Sequence, residues 1–217
     1  IEGVSSEYSV KANSLDSTYP KRLLSSTQGI TEEQYRRQFK EAQIKFKKLN
    51  EYKLANISLL EGGVYNERYA DALKIYFDDF FTKYKVFEKL IDQLDLFTFV
   101  INNRLRFKHI EISKEYGFII IDETQQKMLD LKKLSSGEKQ EILLFFELIF
   151  NTDNYEVLLI DEPELSLHIS WQLQFMDDLL KVTHINDLQV IIATHSPQII
   201  GNHWDIQIDL GELYNGF

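Results

Sequence analysis

Two short apolar runs constrain this chain more than anything else in it. Val157-Leu158-Leu159-Ile160 and Val190-Ile191-Ile192-Ala193 show no alternation of apolar with polar residues. A strand with one wet face alternates, whereas a strand that is apolar on both faces belongs in a sheet covered on both sides, as parallel sheets are. Parallel neighbours require a crossover of a dozen or more residues, and His168 to Lys181, between the two runs, has helical spacing. Strands over Glu156–Ile160 and Leu188–Ala193 with a helix between them predict an α/β fold, a partly parallel sheet with βαβ units.

The other segments attach to that core. Ser136 to Phe150 reads as a helix, and Trp204 to Leu210 alternates like a final strand. Arg104–Ile112 and Tyr116–Asp122 have a period of two, which predicts a small β-hairpin turning at Lys114-Glu115. Thr31 and Gln34 have the spacing of a capping box, opening a helix that carries Tyr35, Phe39, Ala42, Phe46 and Leu49 on one stripe to about Ala55. After Gly62-Gly63, a second stripe of Tyr69, Leu73, Tyr76, Phe80, Tyr84, Phe87, Ile91 and Leu94 predicts a helix over 66–96. Two helices across a glycine turn predict an inserted antiparallel helical hairpin. Residues 1–30, rich in Ser and Thr and interrupted by Pro20, read as one short strand plus loops. The expected domains are therefore an N-terminal remnant (1–30), a helical arm (31–99) and the α/β core (100–217).

Composition excludes several classes. No run approaches the ~18 apolar residues of a membrane span, and the absence of cysteine excludes disulfides, thiolate metal sites and a thiol nucleophile. The first residues given do not read as a basic-then-apolar leader, so the expected location is the cytoplasm. The sequence starts at Ile1 rather than Met, and the expectation is a segment of a longer polypeptide. The net charge of −10 is concentrated: residues 130–217 hold four basic against fifteen acidic groups. Such a segment repels phosphates unless cations intervene, so it is not a nucleic-acid face by itself. The helix over 36–53 carries seven basic residues against Glu41 and Glu51, which makes the arm the place for a DNA contact, although such stripes are more often simply solvated.

Three strings carry chemistry. Asp161 and Glu162 emerge side by side where the first apolar run ends, at the carboxyl edge where open α/β sheets bind ligands. An acid there suits a Mg2+ and its water shell, and the adjacent one suits proton abstraction from an attacking water. His195 follows the second run at the same edge. Upstream, Leu134-Ser135-Ser136-Gly137-Glu138-Lys139-Gln140 opens a helix with small residues, so that amides and a hydroxyl can approach a phosphate. The alternative is an ordinary Ser cap. His109, His184 and His203 have no partners at metal-ligand spacing.

In this order and spacing the strings resemble the C-terminal half of an ABC-type ATPase, more like the SMC-like and OLD-like AAA proteins than transporter subunits. Leu134–Gln140 looks like the signature motif, Val157–Glu162 like the Walker B strand, Glu164-Leu165-Ser166-Leu167-His168 like the D-loop, and His195 like the switch histidine. The resemblance implies an ATP-hydrolysing dimer of DNA maintenance or phage defence that uses ATP and Mg2+. Asp161 would serve the metal, Glu162 would be the base and His195 would stabilise the γ-phosphate. Ser135, Ser136, Gly137 and Glu138 would bind nucleotide across a homodimer. One part is absent: none of the nine glycines precedes a lysine, so the phosphate loop Gly-x-x-x-x-Gly-Lys-Ser/Thr is not in these residues. The chain alone is therefore expected to be inactive. Alternatives are an ATPase partnering a separate nuclease effector, and a non-hydrolysing dimerisation or DNA-binding module. A transporter subunit is disfavoured by the Ser-Leu-His after Glu164.

Overall fold

The structure is a computed structural model that describes residues 2–55, 64–113, 116–152 and 157–211. It divides into two compact units, Ile1–Asp92 with Ile112–Gly117, and Gln93–Glu111 with Phe118–Phe217. No helix among the described residues is long and apolar enough to cross a membrane.

The first unit is helical. Residues 2–25 do not form the expected strand and loops but a helix, α1 (Glu2–Ser25), with Pro20 inside it. Its hydroxyls fold back onto the helix, Ser9 donating to the Ser5 carbonyl and Thr18 to that of Ser14. Tertiary partners do the rest: Arg22 forks onto both oxygens of Asp79 at 2.6 and 2.7 Å, Lys83 pairs with Asp16, and the Tyr8 ring meets Phe87. Helix α2 (Glu32–Glu51) opens with the predicted box, in which Thr31 accepts from the Gln34 amide and the Gln34 side chain accepts from the Thr31 amide. Helix α3 (Ala70–Asn102), preceded by a 3-10 turn at Glu67–Tyr69, runs several residues past its expected end.

The helical hairpin is a correction. Tyr35 of α2 packs edge-on against Phe77 of α3, while ten residues further on Lys45 lies over Tyr84 and pairs with Glu88. Contacts that ascend together mean that α2 and α3 run parallel. The chain returns to the start of α2 before α3 begins: the Tyr65 hydroxyl donates to the Ile30 carbonyl and the Ile30 amide to the Ala70 carbonyl. Gly62-Gly63 lies outside the described residues. The antiparallel partner of α3 is α1, since Tyr8, Asp16 and Arg22 meet Phe87, Lys83 and Asp79 in descending order. Ile30, Tyr35, Ala42, Phe77 and Phe80 form the buried centre.

The second unit carries the motifs. Strand β1 (Lys108–Ser113), β2 (Gly117–Asp122) and β3 (Lys127–Leu129) form one sheet in that order. The predicted turn at Lys114-Glu115 lies outside the described residues. The third strand, not expected, pairs antiparallel with β2, Ile120 opposite Leu129. Then follow α4 (Ser136–Phe150), β4 (Val157–Asp161), a 3-10 turn at Pro163–Ser166, α5 (Ile169–Asn186), β5 (Gln189–Ala193) and the short α6 (Pro197–Ile200). Glu156, the expected first residue of that strand, lies outside the described residues. Residues 204–210 are not a strand: Trp204–Ile206 form a 3-10 turn, and neither sheet includes the segment.

Strands β4 and β5 are parallel neighbours in register, Leu159 opposite Ile191 and Asp161 opposite Ala193. Leu158, Ile160, Val190 and Ile192 pack on a core centred on Phe97, Phe145, Ile149 and Phe175. The opposite face was expected to be covered as well. Instead Val157, Leu159 and Ile191 are 55%, 71% and 61% exposed, so among the described residues the sheet has one covered face.

The core also holds polar groups with assigned partners. Arg104 pairs with Asp178, both almost fully buried, and its guanidinium lies 4.7 Å from the centre of the Trp171 ring. Asn186 donates to the Leu148 and Ile149 carbonyls and to Thr152, closing the C-terminal end of α4, where helical carbonyls lack intrahelical partners.

Candidate functional site

Parallel pairing gathers three of the predicted residues at one edge. Asp161 ends β4 opposite Ala193, and the Glu162 amide donates to the Ala193 carbonyl at 2.8 Å, extending the ladder one step. Glu162 then turns the chain with φ 46° and ψ 56°, a left-handed conformation that non-glycine residues seldom adopt. Pro163 follows and starts the 3-10 turn. Local strain of this kind is held only where the surroundings over-determine it. On the neighbouring strand the chain leaves at Thr194, so that His195 Nε2 stands 3.7 Å from Glu162 Oε1. The His195 side chain is 91% exposed, so packing does not fix its position.

Glu164 organises this edge, and sequence reading assigned it no chemical role. Its Oε2 accepts from the Thr194 hydroxyl at 2.7 Å and its Oε1 from the His195 amide at 2.9 Å. Burial disfavours the anion, but the Thr194 hydroxyl, its own amide and those of His195 and Ser196 outweigh that and hold the carboxyl below its ordinary range. The signal lay in the Glu-Pro-Glu spelling, which places a second acid where the turn folds back over the next strand.

The 135–138 turn sits at the start of α4. Ser135 caps the helix: its hydroxyl accepts from the Glu138 amide, and its own amide donates to Glu138 Oε2 at 2.9 Å. Glu138 is further held by Lys108 Nζ at 2.7 Å; burial raises its carboxyl, but Lys108 and the Ser135 groups bring it below the ordinary value. The plain capping role is thus present, and the Glu138 carboxylate is occupied within the chain. Ser136 is exposed. A Cβ built on Gly137 would meet nothing within 4 Å, so no neighbour in this chain requires glycine there. No hydrogen bond or ion pair among the described residues joins this turn to Asp161, Glu162 or His195.

Glu141 links α4 to the turn after β4. It lies on the buried face of α4 and accepts from the His168 amide at 3.2 Å. Burial pushes its carboxyl up to about 7 against the pull of that amide and of Arg104. An acid on the stripe of Phe145, Leu148 and Ile149 was the signal for it. His168 caps α5, its Nδ1 accepting from the Ser170 amide. His109 and His203 pair with Glu111 and Asp177.

No group of three or more side chains that could hold a metal occurs among the described residues. Mg2+ does not require such a group, since it retains waters and takes one or two carboxylates plus substrate phosphates. Asp161, at the exposed end of its strand, is such a carboxylate.

Residues 5–201 match a family described as "AAA domain, putative AbiEii toxin, Type IV TA system". The curated "Retron Ec83 probable ATPase" of Escherichia coli is 29% identical over 104 residues, covering 43% of this chain and 19% of that protein. The chain thus spans less than a fifth of the length of the curated relative it matches.

Proposed function

The chain belongs to the AAA-domain family described as putative AbiEii toxins of type IV toxin–antitoxin systems, and from that premise we propose that it is the C-terminal segment of an ABC-like, SMC-like ATPase. The observation that carries the reading is the shared edge of β4 and β5, with Asp161, Glu162 and His195 side by side and a 3.7 Å approach of His195 to Glu162. Asp161 would hold Mg2+, which would supply charge stabilisation to the phosphates. Glu162 accepts the proton of the attacking water, and His195 donates a hydrogen bond to the γ-phosphate. The phosphate loop comes from outside these 217 residues.

The uncovered face of the sheet supports that arrangement. By strand alternation Asp161 belongs to the same face as Val157 and Leu159, so a lobe covering those residues also approaches Asp161. Completion of the sheet and completion of the nucleotide site are then one event. The 135–138 turn, not bonded to that edge among the described residues and open at Gly137, serves the nucleotide of a second subunit in a homodimer. Opening and closing of that dimer would act on a partner effector in DNA maintenance or phage defence, and the exposed Arg37, Lys40 and Lys47 of α2 provide a DNA contact.

Glu162→Gln tests the reading in the polypeptide that includes the phosphate loop. The amide keeps the shape but cannot take a proton, so single-turnover hydrolysis should fall about 10²–10⁴-fold, with ATP binding retained and the ATP-bound dimer accumulating. Hydrolysis at the unmutated rate would falsify the role.

A further inference from the structure

We propose that Glu164 is a positioning residue that sets the place of His195, tying the turn after β4 to the turn after β5. Packing does not hold the His195 side chain in place. Its imidazole is almost fully exposed, and its one ion-pair approach among the described residues is the 3.7 Å to Glu162. An exposed side chain goes where its backbone is held, and the hold here is a carboxylate used twice. One oxygen takes the Thr194 hydroxyl and the other the His195 amide. Hydrogen bonds to an ionised acceptor are about twice as strong as neutral ones, and two of them on one planar group fix direction as well as distance.

The clamp continues on both sides. The Ser196 amide donates to Thr194 Oγ1 at 3.0 Å, so the Thr194 hydroxyl that donates to Glu164 is also an acceptor within the turn. Gln172 of α5 donates through Nε2 to the carbonyls of Glu164 and Leu167 at 3.2 and 3.1 Å, and its Oε1 lies 3.1 Å from the Ser196 hydroxyl. Residues 164–168 and 194–196 are therefore joined by side-chain bonds and not merely adjacent. Glu162, held at φ 46° between β4 and Pro163, shares that rigid turn. The geometry makes the 164–168 turn and His195 move together. On the proposed ATPase reading, on which this consequence rests, a partner subunit that engages 164–168 thereby sets the imidazole against the γ-phosphate.

The test has two arms. In the 217-residue chain, amide hydrogen exchange is measured for Glu164→Ala, Glu164→Gln, Thr194→Val and Thr194→Ser. Glu164→Ala should speed exchange at His195 and Ser196 about ten- to a hundredfold, from the loss of charge-assisted bonds, while Ile160 and Ile192 keep wild-type protection. Thr194→Ser retains the hydroxyl and should stay near wild type, whereas Thr194→Val should follow Glu164→Ala more weakly. If His195 exchanges at the wild-type rate in both Glu164→Ala and Thr194→Val, the clamp is refuted. If Glu164→Ala loses protection throughout β4 and β5, Glu164 is a general stabiliser and the positioning role is refuted as well. In the polypeptide with its phosphate loop, Glu164→Ala should lower kcat for ATP about tenfold or more while KM changes less than about twofold, with Thr194→Ser again near wild type. Equal loss in kcat and gain in KM would overturn the assignment. Absence of ATPase activity in the unmutated polypeptide would instead refute the ATPase reading, and the exchange arm would still decide the clamp.

Discussion

Glu141 supports a prediction whose sign and size both follow from its surroundings. Its side chain is 1% exposed on the inner face of α4, and the groups that act on it are the His168 amide, Arg104 and Glu138. Burial is the largest influence, and it lifts the carboxyl from 4.5 to about 7 because the His168 bond and Arg104 only partly offset it. Arg104 is already committed to Asp178, so the anion gains no full partner on ionising. In the unfolded chain the group returns to about its ordinary value, near 4.3. Between the two values the native state keeps a proton that the unfolded chain has released. Stability from this group is therefore complete below about pH 4.5 and is lost as pH rises through about 7.

The difference between the two values, counted between about pH 5 and 8, amounts to roughly 2.5 kcal/mol. Glu141→Gln retains the shape and an acceptor for the His168 amide and does not titrate. Urea unfolding of both proteins, followed by Trp171 fluorescence in a Trp204→Phe background, gives their stability difference at each pH. Groups that titrate identically in both cancel. The difference should move in favour of the glutamine variant by roughly 2.5 kcal/mol over that range. A difference that stays constant to within about 0.5 kcal/mol would show that Glu141 is ionised when folded, and the reasoning from burial would fail.

Three further substitutions probe the helical unit. Phe80→Asp places an unpaired charge in the α2–α3 core and should cost several kcal/mol, seen as a lowered Tm, whereas Lys47→Asp on the exposed face of α2 should stay within about 0.5 kcal/mol; equal melts would refute the packing. Gly29→Ala would bring its new Cβ to 2.5 Å from the Ala70 Cβ and 3.0 Å from the Ala70 carbonyl carbon. Overpacking against backbone costs about 1–3 kcal/mol, so an unchanged Tm would refute the close approach of the 26–30 segment to the start of α3.

What could be read from the sequence was what neighbouring residues determine together. The boxes of Thr31 with Gln34 and of Ser135 with Glu138 are local bonds three residues apart, and both helices start where those bonds require. The ends of the apolar runs located Asp161, Glu162 and His195 because a parallel strand stops where its side chains change character. Helix α1 was not legible: its Ser, Thr and Pro20 argue against a helix, and the bonds that hold it reach Asp79, Lys83 and Phe87, far along the chain. The same holds for the direction of α2 against α3. A Gly-Gly pair allows a turn but does not determine one, and Tyr65 with Ile30 brings the chain back to run parallel. Glu164 and Glu141 were missed for the same reason, since an acid becomes a clamp or a buried proton carrier only through the element that packs on it.

The apolar faces of β4 and β5 add a different lesson. Val157, Leu159 and Ile191 are large and apolar, as a doubly covered strand requires, yet water reaches them in this chain. A solvated face in an antiparallel sheet alternates towards polar residues, and this one does not. Leaving three such side chains exposed forgoes about 1.5–3 kcal/mol each relative to full burial. The two strands therefore have the composition of a sheet covered on both sides, and the lobe proposed to carry the phosphate loop is the cover that their composition matches. Asp161, the one charged residue of β4 and on that same face, lies where such a lobe would meet the strand end. On the proposed reading, the residue types that predicted a parallel sheet also mark the side from which the nucleotide site would be completed.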